Sequence, residues 1–292
     1  MLFYLNAGAL INEQADLVIA VASWMIVWWI TEAVSISVTA LLPLLLFPIL
    51  KVMEINAVGA NYGSSIVFLF FGGFVMALAL EKVNLHRRIA LTIIHLTGTS
   101  PNRVILGFML ATALLSMWIS NTATTVVMLP IASSVIALLI TDEDGFTKKD
   151  KNFAISVMLG IAFSANSGGI ATLIGTPPNS VMVGLLENEY NIQISFVRWM
   201  MFGVPLSALL IAISYVLMVY VIFPSKGLKF SATNNVIKSQ LDEMGPLSGK
   251  EKQVLAIFGI TVFLWIFRAL INQLFPELKL SDTSISLFAA IS

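Results

Sequence analysis

The sequence predicts an all-α protein that crosses a membrane several times. Of its 292 residues, 58% are hydrophobic and only 11% charged. Mean hydropathy is +0.92, and apolar stretches of near-spanning length recur along the chain. Soluble domains carry about 25% charged residues, and a bilayer core takes roughly 20 apolar residues per helix. Sixteen Lys and Arg balance sixteen Asp and Glu, which leaves no electrostatic footprint for nucleic acid. Cysteine is absent, excluding disulfides, thiolate metal sites and a thiol nucleophile. The two histidines, His86 and His95, do not form the H-E-x-x-H of a zinc hydrolase.

In chain order, Leu17–Ile30, Val34–Leu50, Ser64–Leu80, Phe196–Phe223 and Val254–Phe275 read as spans. Two further stretches break the pattern. Val104–Ile140 has 37 residues interrupted by Ser120-Asn121-Thr122, and Phe153–Leu186 has 34 residues broken at Gly175-Thr176-Pro177-Pro178-Asn179. Cytoplasmic loops are enriched in Lys and Arg. Lys82, Arg87, Arg88 and Arg103 place the segment from Glu81 to Arg103 there, and Lys226, Lys229, Lys238, Lys250 and Lys252 place the loop after Phe223 there. Residues 1–16 then face outward. Val104–Ile140 must leave and return to one side, either as two short spans or as a re-entrant hairpin, which its half-lengths fit better. Non-helical backbone at membrane depth is tolerated only where it lines a cavity or protein, so a tip at Ser120–Thr122 is a candidate site.

The chemistry of such breaks follows from helix ends. A helix C-terminus exposes carbonyls suited to a hard cation, and an N-terminus exposes amides and a positive dipole suited to an anion. Ser116 and Ser120, four apart, are expected on one helix face. Asn121 or Thr122 is suited to cap the helix that restarts through Val126–Leu129. Tandem prolines cannot continue a helix but can begin one behind Thr176. The plainer reading is that Ser, Thr and Gly merely let membrane helices approach closely. That reading strains at Asn121 and Pro177-Pro178, central in overlong apolar stretches, because paired interruptions point to a midplane binding site.

Neither stretch contains Asp, Glu, Lys, Arg or His. A proton-coupled carrier usually needs a titratable group in the membrane. A bound anion would have to be balanced by helix ends and co-bound cations, which favours metal-ion coupling. An enzyme would need an activated nucleophile, and no His, Lys or Asp accompanies the membrane serines. A channel could use the same breaks as a filter, but a charge-free half-site gives no distinctive pore ring.

The blocks S-N-T-A-T-T-x-x-M-L-P at Ser120–Pro130 and G-G-I-A-T-L-I-G-T-P-P-N at Gly168–Asn179 resemble the divalent anion:sodium symporter (DASS) family, including its INDY-type di- and tricarboxylate carriers. W-W-I-T-E-A-V at Trp28–Val34, with Thr39 and Pro43, is similar to its early scaffold helices. The resemblance implies an inverted-repeat secondary transporter, with a re-entrant helical hairpin and a broken transmembrane helix, assembled as a homodimer in the cell inner (plasma) membrane. It implies scaffold helices over 1–103 with a cytoplasmic interfacial arm near 81–103, the hairpin at 104–140 and the broken helix at 153–190. A helix at 196–223 closes the first repeat, 224–252 is a cytoplasmic linker, and 253–292 begins a second repeat expected mostly beyond Ser292.

Carried over by residue, the resemblance puts sodium at Ser116, Ser120, Asn121 and the carbonyl of Gly175. It puts the substrate at Asn121, Thr122, Thr176 and Pro177. Thr176 stands where some members have serine. The implied function is symport of Na+ with a divalent organic anion, a C4-dicarboxylate such as succinate, malate or fumarate, by alternating access and with no organic cofactor. A sodium-independent exchanger or a sulfate or citrate carrier of the same family stays open. Outside these blocks, Glu32 reads as an acid at a turn rather than a membrane relay. Arg268 reads as a side chain snorkelling to the outer interface rather than a substrate contact.

Overall fold

The computed structural model describes residues 12–98, 100–139, 147–224 and 233–292, and among them every regular element is helical. Two compact units, 1–67 and 68–292, divide the chain. In the first, α1 (Glu13–Thr31) starts where the Asn12 side chain accepts the Ala15 amide at 3.0 Å, with Glu13 and Asp16 in its first turn. Both features favour a helix N-terminus. The helix stops at Glu32, exposed in the left-handed region (φ 50) at the turn expected for it. The expected span Val34–Leu50 differs from the structure. It forms α2 (Ile36–Thr39) and α3 (Leu42–Ile49), with Pro43 entering α3 at its first turn. Residues 36–49 rise only about 21 Å as helix, short of a ~30 Å bilayer core. Then follows α4 (Ile55–Tyr62), whose Tyr62 hydroxyl donates to Ala40 O at 2.6 Å.

The second unit takes α5 (Ser65–Lys82) from Phe68 onward, then α6 (Leu85–Thr97), α7 (Pro101–Ser116), α8 (Asn121–Leu139), α9 (Lys148–Gly169), α10 (Pro177–Tyr190) and α11 (Phe196–Val216). A π-helical turn, Leu217–Ile222, extends α11, and α12 (Thr233–Glu243), α13 (Gly249–Leu274) and α14 (Asp282–Ile291) follow. Among the described residues, four segments are long and apolar enough to cross a membrane: Glu13–Thr31, Ile55–Lys82, Phe196–Ile222 and Gly249–Leu274.

At the centre lies α7, with Val104, Ile105, Phe108, Met109 and Ala111 fully buried. Small residues recur every fourth position along α9, at Ser156, Gly160, Ser164 and Gly168, forming the kind of stripe that lets helix backbones meet. At Gly168 the contact is backbone to backbone, because an added Cβ would stand 2.3 Å from Ala113 O. On the other flank, α6 packs one face against α7. Its apolar residues Ala90, Leu91 and Ile94 are fully buried in one core with Val104, Ile105 and Phe108. Arg88 binds Glu251 at 2.7 Å and donates to Gly245 O at 2.8 Å and Met244 O at 3.1 Å, tying α6 to the start of α13. Arg268 is likewise not a free snorkelling cation, since it pairs with Asp282 at 3.1 Å, whose other oxygen accepts the Phe196 amide at 2.9 Å.

The α7–α9 contact gives a direct test. Gly168→Ala should destabilise the full-length gene product by about 1–3 kcal/mol, the usual cost of overpacking, read as a lowered unfolding temperature in detergent. Gly259, around which an added Cβ meets nothing within 4 Å, is the control, and Gly259→Ala should cause no loss. Equal behaviour of the two variants would contradict the backbone contact.

Candidate functional site

The hairpin tip is a four-residue turn, Met117 to Ser120, between α7 and α8. Two sequence expectations change here. Ser116 ends α7 and Ser120 lies beyond it, so the two do not share a helix face. The cap of α8 is Ser120 rather than Asn121 or Thr122, with its Oγ accepting the Ala123 amide at 3.3 Å and its carbonyl accepting Thr124 N at 2.9 Å. Trp118 anchors the turn among rings, 5.0 Å from Phe258, 6.2 Å from Phe196 and 6.3 Å from Trp265.

Between α9 and α10 the chain runs non-helically from Ile170 to Thr176. A buried carbonyl without a partner costs about 1–3 kcal/mol, and side chains meet that demand here. Asn179 Nδ2 donates to both Gly169 O (2.9 Å) and Thr172 O (2.8 Å). Ser180 Oγ serves Leu173 O at 2.7 Å, and Trp199 Nε1 serves Ile170 O at 2.9 Å. Gly175 N donates to Thr172 Oγ1 at 3.1 Å, and that hydroxyl donates to Met117 O.

The N-terminus of α10 offers fewer donors than a broken helix ordinarily would. Pro177 and Pro178 have no N–H, and Asn179 N already donates to Thr176 O at 3.2 Å. Thr176 is extended (φ −150), and its side chain makes no capping bond. The free amides are on the hairpin instead. Asn121 and Thr122 open α8 with no hydrogen bond from their backbone N–H among the described residues. Thr122 and Pro177 are exposed, and Thr176 is half-buried.

Tip and break converge on oxygen. Ser116 Oγ, fully buried, lies 2.7 Å from both Asn121 Oδ1 and Ala165 O. One hydroxyl proton can serve only one of these acceptors, and an Asn121 amide turned to present Nδ2 would satisfy the other contact. Asn121 Nδ2 donates to Asn166 Oδ1 at 3.2 Å. Gly169 makes the approach possible, because a Cβ there would stand 2.4 Å from Asn121 Oδ1. Gly175 abuts Gly169 in turn, its own would-be Cβ 2.5 Å from Gly169 O.

The structure thus joins Ser116 and Asn121 directly and brings Gly175 up through Gly169. Ser120 caps the tip, and no hydrogen bond links Thr122 or Thr176 to the oxygen cluster among the described residues. Sequence reasoning gave no site role to the Ala165 carbonyl, Asn166, Thr172 or Asn179. The available signal was an amide or hydroxyl in a charge-free apolar stretch, whose partner it could not name. Hydroxyl, amide and carbonyl oxygens without carboxylates suit a hard monovalent cation, and the donor set fits Na+. Transition and divalent metals prefer imidazole, thiolate or carboxylate ligands, and among the described residues no three His, Cys, Asp or Glu cluster.

A helical membrane chain in which a hairpin tip meets a broken helix over a charge-free oxygen cluster has the architecture of secondary transporters. The sodium:sulfate symporter transmembrane-region model matches residues 1–291, and the chain belongs to that family, the divalent anion:sodium symporters. It is 37% identical over 284 residues to the sodium-dependent dicarboxylate transporter SdcS of Staphylococcus saprophyticus, covering 96% of this chain and 55% of the relative. It is 38% identical over 277 residues to SdcS of Staphylococcus aureus (strain USA300), covering 94% of this chain and 53% of the relative. The chain spans about half the length of these curated relatives. It is a multi-pass plasma-membrane protein.

Capping and cation binding by Ser120 separate experimentally. Loss of an N-cap costs about 1 kcal/mol, so Ser120→Ala should lower the unfolding temperature even in sodium-free buffer, and Ser120→Asp should restore it there. An unchanged unfolding temperature without sodium would contradict the capping role.

Proposed function

We propose that the protein is a sodium-coupled carrier of small divalent organic anions, C4-dicarboxylates such as succinate, malate or fumarate, working by alternating access as a homodimer. In this reading the α7–α8 pair is a re-entrant hairpin. Sodium is held by Ser116, Ser120, Asn121 and the Gly175 carbonyl, and the anion by Asn121, Thr122, Thr176 and Pro177. The observation that carries it is the neutral oxygen cluster around Ser116 and Asn121, beside the free amides that open α8. The names of the SdcS relatives support the same cation and substrate class.

Magnitudes explain why coupling would follow. One helix end contributes at most about 2 kcal/mol to an anion, whereas even millimolar affinity requires about 4 kcal/mol. A cation about 5 Å from the carboxylate, at an effective dielectric of about 20, adds roughly 3 kcal/mol. Without Lys or Arg in either stretch, the co-bound cation becomes the dominant attraction. The site is built for carriage rather than catalysis, because its hydroxyls have no base to activate them.

Uptake of labelled succinate by the full-length gene product in proteoliposomes should collapse when choline replaces sodium at fixed pH. Undiminished exchange of internal for external dicarboxylate without sodium would overturn symport and favour an exchanger. Asn121→Ala removes the oxygen beside Ser116 and should abolish uptake at normal membrane expression. Unaltered sodium affinity in that variant would remove Asn121 from the cation site.

A further inference from the structure

Thr172 lies in the non-helical run between α9 and α10, and it is fully buried. A buried hydroxyl requires partners, and those it has are informative. It accepts the Gly175 amide at 3.1 Å and donates to Met117 O, the first residue past α7. Among the described residues this is the one hydrogen bond joining the 117–120 turn to the 170–176 segment. The Thr172 carbonyl is held separately by Asn179, so backbone and side chain of one residue are fixed from opposite sides of the break.

We propose that Thr172 is a positioning residue that sets the distance between the two halves of the cation site. This rests on the sodium reading above. Ser116 and Asn121 belong to the hairpin and Gly175 to the break, and a cation bridging them needs both halves at fixed separation. Ring packing of Trp118 and the Asn121–Gly169 contact hold the tip laterally. The Ser116–Ala165 and Asn121–Asn166 bonds tie the hairpin to α9, and the Thr172 hydroxyl ties the turn to the non-helical segment that carries Gly175. Thr172→Val keeps the volume, removes the hydroxyl, and leaves Met117 O and Gly175 N–H without that partner. The two halves then separate or fluctuate, and sodium binding weakens more than turnover does.

The test uses the full-length gene product with Thr172→Val and Thr172→Ser. In proteoliposome uptake, the valine variant should raise half-saturating sodium about tenfold, equivalent to about 1.4 kcal/mol, with a smaller fall in maximal rate. The serine variant should restore the wild-type value. A second readout needs no transport. Spin labels on cysteines placed at Val126 of α8 and Val181 of α10, both exposed, report the spacing of hairpin and break. Residues 1–292 contain no cysteine to compete for label.

The label distances should broaden or shift with valine and not with serine. Unchanged distances with valine would overturn the positioning role whatever the transport result. Altered distances with unchanged half-saturating sodium, in a carrier whose wild type depends on sodium, would overturn it as well. So would failure of serine to rescue. Sodium-independent wild-type uptake would instead sink the cation reading, and the label distances would still decide whether Thr172 ties the two elements.

Discussion

The backbone contact between α7 and α9 at Ala113 and Gly168 holds the rest of the site in register. Three residues further along α7, Ser116 reaches across to Ala165 O, a bond of 2.7 Å that is possible only because the two helices touch. The hairpin turn then brings Asn121 back over Gly169, where the absence of a side chain is again the permitting condition. A site built this way needs no charged ligand. It concentrates neutral oxygens by close approach of helices, and in a low-dielectric interior those dipoles act more strongly than in water.

The two helix restarts beside this cluster are not equivalent. At α10 the tandem prolines remove two donors, and the third amide turns back to Thr176 O. At α8 the serine cap uses Ala123 N, leaving the amides of Asn121 and Thr122 unpaired among the described residues. Helix dipoles point positively at both places, but directional N–H donors concentrate on the hairpin. In the proposed reading, anion recognition would therefore be weighted toward the element that also carries Asn121 Oδ1. Cation and anion would share one short turn, which keeps their separation small and their mutual attraction large.

Much of this was legible in the sequence. Hydropathy and length marked α1, α5, α11 and α13, and the polar interruptions marked both breaks to within a few residues. Less legible were effects that depend on tertiary partners. A one-dimensional pattern could not show that α6 spends its apolar face on α7, or that Asp282 ties Arg268 to the start of α11. Val34–Leu50 misled because proline at 43 is apolar by composition yet interrupts the amide ladder. Helix-face arithmetic placed Ser116 with Ser120 because it assumed a helix continuing through the turn. The donors that satisfy the 170–176 carbonyls come from Asn179, Ser180 and Trp199, whose pairing is a fact of three dimensions.

Those paired carbonyls also limit what the break can do. Four of its neighbouring carbonyls, at Gly169, Ile170, Thr172 and Leu173, already accept side-chain donors. A cation would have to compete with those bonds to use them, and a net exchange of one good partner for another gains little. The carbonyls of Ala171, Ile174 and Gly175 differ, because no hydrogen bond to them occurs among the described residues, and at Gly175 the amide is the group engaged, by Thr172 Oγ1. The break thus has some carbonyls committed to side chains and others, Gly175 at its far end included, without a hydrogen bond among the described residues. That is the arrangement in which binding a small ion need not first dismantle the structure that holds its ligands in place.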